Sequence, residues 1–221
     1  MIGEIKYYQA PEKDYRNRFK RGYFYFAPVL FTLGSSLPYL RIDFKDESNP
    51  TNTSYTIQID DSRNLERNTH EPIKQLGLSS DELATIIGCK FRPVIIISPE
   101  IPMINSKGTN KCFLVIPLYS TQNEAGVYKY EEGFILRTQA YQYPNLFFLP
   151  EDKQFGVKES IARFDKASII PSTLLNPLPN RLTDDAFFCL FQWFSYLIGG
   201  PLDEIIANYR DSAMKKLPTS L

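Results

Sequence analysis

The chain is poor in the residues that build metal centres, disulfide frameworks and acid–base relays. It holds three cysteines, one histidine and one tryptophan in 221 residues. Cys89, Cys112 and Cys189 are odd in number, far apart and each set in an apolar run, so neither a bridge framework nor a metal-binding CxxC pair is present. A reducing, cytoplasmic setting is expected. The lone His70 lies in polar Arg67-Asn68-Thr69-His70-Glu71, and a histidine zinc site or a Ser-His-Asp relay would have to be built around it alone. No GxGxxG, GxxxxGK[ST] or GxSxG occurs, which removes the sequence grounds for dinucleotide, P-loop or hydrolase-elbow chemistry. Long apolar runs are missing too. Ala186 to Ile198 is broken by Gln192 and Ser195 and falls short of the roughly 20 residues a membrane span needs. Met1 to Arg21 mixes charges and tyrosines around Pro11, so neither a signal peptide nor membrane entry is expected. Net charge is absent, with 25 basic residues against 25 acidic ones, and a nucleic-acid partner would have to be met by a local patch.

What is present is an ordinary globular composition, 43% hydrophobic and 14% aromatic. A chain of this length makes one large domain or two small ones and buries roughly 70% of the surface its unfolded form exposes. Charge is only mildly uneven: residues 1–21 carry 6 basic and 3 acidic groups, residues 22–88 carry 5 and 9, and residues 89–175 carry 10 and 8. Tyr23-Phe24-Tyr25-Phe26 reads as a first strand closed by Pro28. Leu40 to Lys45 and Tyr55 to Asp60 alternate apolar with polar across a turn-rich link, as a half-buried hairpin does. A helix is expected from Ser79 or Ser80, with a hydroxyl cap and early acids, to Gly88. Val94 to Ile97 and Cys112 to Ile116 are β-branched, continuously apolar runs, as central strands are. Phe134 to Arg137, Leu146 to Leu149 and Ser160 to Phe164 follow as short strands. Many short strands at close spacing point to a small barrel, so the expected class is α+β.

Beyond Pro177 and Pro179, Thr183-Asp184-Asp185 opens an apolar helix running to Gly199-Gly200, and Pro201 starts a second that ends near Tyr209. Phe187, Phe188, Phe191, Trp193 and Phe194 lie almost all round the first of these, and so need cover on more than one side. The adjacent carboxylates Asp60-Asp61 and Asp184-Asp185 read as structural: strand neighbours point to opposite faces, and a pair at a helix start is a cap.

Four pieces remain: Lys20-Arg21-Gly22 before the first strand, Arg92-Pro93 before Val94 to Ser98, Val115-Ile116-Pro117-Leu118-Tyr119-Ser120, and Gly156-Val157-Lys158-Glu159-Ser160-Ile161-Ala162-Arg163-Phe164-Asp165. In this order they resemble the MazF/PemK family of toxin-like ribonucleases. The resemblance covers residues 20–26 and about 90–175, half the chain. It implies an SH3-like small β-barrel over residues 1–175 with an insertion at about 27–89, and a helical extension over 176–221 packed on the barrel. It further implies a homodimer that cleaves single-stranded RNA without a metal cofactor, within a type II toxin–antitoxin system and with an antitoxin protein as partner. Attack by a ribose 2′-hydroxyl on its own phosphodiester requires a base, an acid for the leaving oxygen and cationic donors for the phosphate charge. Arg92 and Arg163 suit the last task, because a planar guanidinium grips two phosphate oxygens and stays protonated.

Asp165, two residues beyond Arg163 on an expected strand, falls on the same face, as base or as orienting carboxylate. Its bland reading is a surface ion pair with Arg163. Where the family pattern has threonine this chain has Tyr119, whose phenol either blocks a groove or stacks on a base. Thr121, on the same side of a regular strand, is then the substitute donor. Arg21, Tyr119, Ser120 and Lys166, which stands at the family's glutamine, complete the expected substrate contacts. Ser168-Ile169-Ile170-Pro171 lacks the arginine and aspartate of the family's next segment. That departure leaves open a non-catalytic member that binds RNA or a protein.

Overall fold

Among the described residues, β-branched and aromatic side chains place more of the chain in strands than in helices, and helices appear where a cap and a one-sided apolar stripe coincide. The computed structural model describes residues 5–31, 36–44, 53–61, 88–105 and 108–217. The chain divides into two compact units, Met1–Pro28 with Phe91–Leu221, and Val29–Lys90. In chain order the elements are β1 (Tyr8–Gln9), β2 (Tyr23–Phe31), β3 (Ser36–Phe44), β4 (Thr53–Asp61), β5 (Gly88–Ile96), β6 (Ile101–Asn105), β7 (Gly108–Ser120), α1 (Glu132–Gln139), β8 (Leu146–Leu149), β9 (Ser160–Arg163), β10 (Ser168–Pro171), β11 (Asn176–Leu182), α2 (Asp184–Leu197) and α3 (Glu204–Met214).

The smaller unit contains the antiparallel pair β3 and β4, with Leu40 opposite Ile57. The two expected strands therefore pair antiparallel, β3 starting four residues earlier than expected and ending at Phe44, and β4 longer at both ends. His70 and the body of the helix expected from Ser79 or Ser80 lie outside the described residues. Gly88, the expected end of that helix, opens β5 instead.

The larger unit is built on a nine-stranded sheet in the order β1-β11-β2-β5-β7-β9-β8, with β6 and β10 added along β7. Its registered pairs are antiparallel, and with the helices they make an α+β fold. The path ends at β1 and at β8, so the sheet does not close into the small barrel expected from the sequence. The reason is α2. Ala186, Cys189, Leu190, Trp193 and Phe194 recur at helical spacing, are buried, and join one core with Phe24, Ile95, Ile97, Ile116, Leu118, Phe147 and Leu149 of the sheet. A barrel fills its interior with its own strands' side chains, whereas here buried side chains of α2 complete the core on one face of the sheet.

Local chemistry sets the helix ends. Thr183 Oγ1 accepts a hydrogen bond from the Ala186 amide at 3.2 Å and donates to the Lys6 carbonyl, so the α2 cap also ties down the N-terminal segment. Trp193, 1% exposed, donates its indole N–H to the Leu146 carbonyl at 3.0 Å. Phe188 stays 46% exposed on the far side. Asp203 caps α3 by accepting from the Ile205 amide, so Pro201 precedes the helix rather than opening it.

Two sequence expectations fail here. Phe134 to Arg137 is not a strand but lies within α1, because a four-residue apolar run fits either period and Ile135 and Thr138 supply a buried helical side. The extension expected to be helical over 176–221 begins instead with a strand, β11. The amides of Tyr141 and Gln142 bond the carbonyls of Thr138 and Arg137 at 3.1 and 3.0 Å, the paired bonds of a Schellman end. Tyr141 sits at its left-handed position with φ +56°, where glycine is usual. The conformation costs a side chain about 1–2 kcal/mol, offset here by packing of the ring edge-on against Phe147, Trp193 and Tyr209.

Because α2 is core, Leu190→Ala should lower the unfolding free energy by about 2–5 kcal/mol in urea titrations. An unchanged transition would reduce α2 to an appendage.

Candidate functional site

Three neighbouring strands carry the site. β5 and β7 pair with Val94 opposite Pro117, and continuing that register by two residues sets Arg92 across from Tyr119. On the other edge of β7, Tyr119 is opposite Ile161, and Arg163 lies two residues beyond Ile161 on the same face. The side chains meet accordingly. The Arg92 guanidinium carbon lies 4.2 Å from the Tyr119 ring centroid and that of Arg163 lies 5.7 Å from it. One phenol thus touches two cations, a contact worth about 0.5–1 kcal/mol each where solvent reaches it.

Asp165 arrives differently from expectation. β9 ends at Arg163, and Phe164 to Lys166 form a 3-10 turn. The turn is pinned by Phe164, whose ring is buried against Phe194 and whose amide donates to the Asn145 carbonyl at 2.9 Å. It swings Asp165 back onto Arg163 as a two-pronged pair, with Nε to Oδ1 at 2.8 Å and Nη2 to Oδ2 at 2.5 Å. The hydrogen-bonded guanidinium holds the Asp165 carboxyl below its ordinary range against the opposing effect of burial, and Lys166 adds a smaller push in the same direction. Arg163 is raised in turn, chiefly by the same hydrogen bond, with Tyr119 and Tyr130 close enough to contribute.

The remaining expected residues divide. Lys166 stands beside Asp165. The Ser120 hydroxyl bonds the carbonyl and amide of Gln122 and caps its own turn. Thr121 is a correction. It is fully buried and donates to Glu159 Oε1 at 2.7 Å, because β7 stops at Ser120 and strand alternation does not carry past it. It is no substitute donor on the Tyr119 side. Arg21 also stands apart: its guanidinium lies over the Phe187 ring, and the adjacent Gly22 bonds Ile96, four residues along β5 from Arg92, roughly 13 Å at strand spacing.

Sequence reasoning missed Tyr130 and Glu159. They line a cavity of about 400 Å³ with Tyr128 and Glu132, on the Tyr130 side of Arg163. The alternation Tyr128-Lys129-Tyr130 was the available signal. Among the described residues no three His, Cys, Asp or Glu side chains gather as a metal site would require. No helix among them is long and apolar enough to cross a membrane. No protein-family model matches this chain, and no curated protein or solved structure is significantly similar to it.

The fork makes a pH prediction. A carboxyl held low in the folded state contributes stability above its unfolded value, about 3.9, and that contribution is lost as pH falls through the lowered folded value. Both side chains are about a third exposed, at 32% and 33%, so the contribution is below about 1 kcal/mol. Carboxyl-carbon NMR should place the Asp165 midpoint below 3.9, and Arg163→Met should move it upward; equal midpoints in the two proteins would mean the fork does not persist in solution.

Proposed function

We propose that this face binds single-stranded RNA and cleaves it without a metal cofactor, making the chain a divergent toxin-type endoribonuclease of the MazF/PemK kind. The observation that carries the reading is the gathering of Arg92, Tyr119, Arg163 and Asp165, residues spread over 74 positions of the sequence, around one phenol ring. Two guanidiniums suit a phosphodiester and an aromatic ring between them suits an unstacked base. The cavity beside Tyr130 leaves room for a neighbouring base.

The chemistry follows from the fork. When Arg163 turns to the phosphate, Asp165 loses the partner that depresses its basicity, so substrate binding itself readies the carboxylate. Asp165 then takes the 2′-hydroxyl proton, the 2′-oxygen attacks phosphorus and the P–O5′ bond breaks. The products are a 2′,3′-cyclic phosphate and a 5′-hydroxyl, the latter protonated by Asp165 or water, with Arg92 and Arg163 stabilising the charge on the phosphate. An SH3-like arrangement of β5, β7, β9 and β10, a homodimer and an antitoxin partner belong to the same reading.

A second reading, an RNA-binding module without cleavage, is favoured by the burial of Thr121 and by the low basicity of Asp165 while the fork is closed. Incubating single-stranded RNA with the protein in a metal chelator separates the two. Cleavage is expected, reduced at least about 100-fold in Asp165→Asn and Arg163→Ala. RNA bound but intact would establish the module. Arg92→Ala should lower the salt slope of RNA binding by about one unit; an unchanged slope removes Arg92 from the phosphate.

A further inference from the structure

A second cavity, of about 320 Å³, shares Gln139 with the cavity beside Tyr130 and is walled by Ile5, Tyr7, Tyr141, Tyr209, Phe148 and Pro150. Among the described residues no charged side chain lines it. Its polar complement is three phenol hydroxyls and one amide. Among the described residues the hydroxyls of Tyr7, Tyr141 and Tyr209 have no protein partner, and none of them is sealed from the cavity, since the buried side-chain atom without a partner is Arg210 Nε. Tyr8 and Tyr25 use theirs, Tyr8 donating to the Pro150 carbonyl at 2.7 Å and Tyr25 to the Arg18 carbonyl at 3.1 Å. Hydroxyls that meet an open cavity rather than a protein acceptor are free to bond a ligand there.

Tyr141 sharpens the point. It is 5% exposed, occupies the left-handed position that closes α1, and packs edge-on against Trp193 at 5.0 Å between centroids. That packing uses the ring alone and a phenylalanine would supply it.

We propose that this cavity binds an uncharged, planar heterocycle of nucleobase size, whose ring nitrogens and carbonyl oxygens accept hydrogen bonds from Tyr7, Tyr141 and Tyr209. The volume lies at the small end of ligand pockets and suits one ring system rather than a polymer. Aromatic walls favour a flat ligand that stacks. An anion would enter without a countercharge and a cation without a carboxylate, which leaves a neutral molecule. Burial pushes Tyr7 up to about 12 and raises Tyr141 and Tyr209 as well, so all three remain protonated donors at physiological pH. Gln139 adds one donor group and one acceptor, enough to distinguish one ring edge from another. The site stands whether or not the guanidinium face binds RNA.

Trp193, the only tryptophan, touches Tyr141 and so reports on the cavity. Its emission should change saturably on titration of the full chain with adenine, guanine, cytosine, uracil or their nucleosides, for at least one of the eight. A free base and its nucleoside binding equally would place the ring alone in the cavity, and tighter nucleoside binding would add the sugar. Tyr141→Phe and Tyr209→Phe should each weaken that binding about 3- to 10-fold. Tyr141→Phe should at the same time hold the melting temperature, since it keeps the ring and breaks no protein hydrogen bond. No saturable response to any of the eight probes overturns the proposal. So does unchanged affinity in Tyr141→Phe accompanied by a lower melting temperature, which would make the hydroxyl structural.

Discussion

Everything in the larger unit hangs on β7 and on the two edges a strand can offer. Along one edge it pairs with β6 and then β5, and along the other with β10 and then β9. Thirteen residues therefore bring together four segments that the sequence scatters from Gly88 to Pro171. Hydrogen-bond register, with its fixed two-residue alternation, decides which side chains share a face. Arg92 and Arg163 meet across Tyr119 because their strands flank β7 with compatible registers. A slip of one residue on either edge would send a guanidinium to the α2 side, among Ile95, Ile116 and Leu118, where a charge has no partner.

Much of this was legible in the residues. Val94 to Ile97 and Cys112 to Ile116 are unmistakably strand, and the Thr183-Asp184-Asp185 start of α2 needs only the chemistry of a cap. Phe134 to Arg137 was not legible, since its helix is chosen by what Ile135 packs against, namely Leu146 and Ile161. β1 and β11 carry too few strand-forming side chains to announce themselves; each exists because a neighbour supplies the other half of its ladder. At the site, Arg92, Arg163 and Asp165 were expected together from the family resemblance, and Asp165 also from its two-residue spacing after Arg163. The route of Asp165 was not legible, because a 3-10 turn replaces the assumed strand there. Thr121 shows the same limit: alternation holds only while the ladder lasts.

The two faces of the sheet also differ in what holds them together. On the α2 side apolar groups interlock and Trp193 and Tyr8 each find a carbonyl. Over Tyr119 the balance is left open, with cations against a ring and a half-exposed fork that solvent keeps weak. An interaction of that strength is easily exchanged for a better partner, whereas the buried side has nothing comparable to exchange.

The dependence of the core on α2 has a consequence for how the protein is made. Arg92, Tyr119, Arg163 and Asp165 all emerge from the ribosome before the helix that completes the core of their sheet, and β1 waits for β11, more than 160 residues later. During that interval the nascent strands display Ile95, Ile116, Leu118 and Phe147 to water and to each other. Synthesis of α2 is the event that completes the core of this sheet, so termination between the site and that helix should yield aggregate or chaperone client rather than a smaller folded protein.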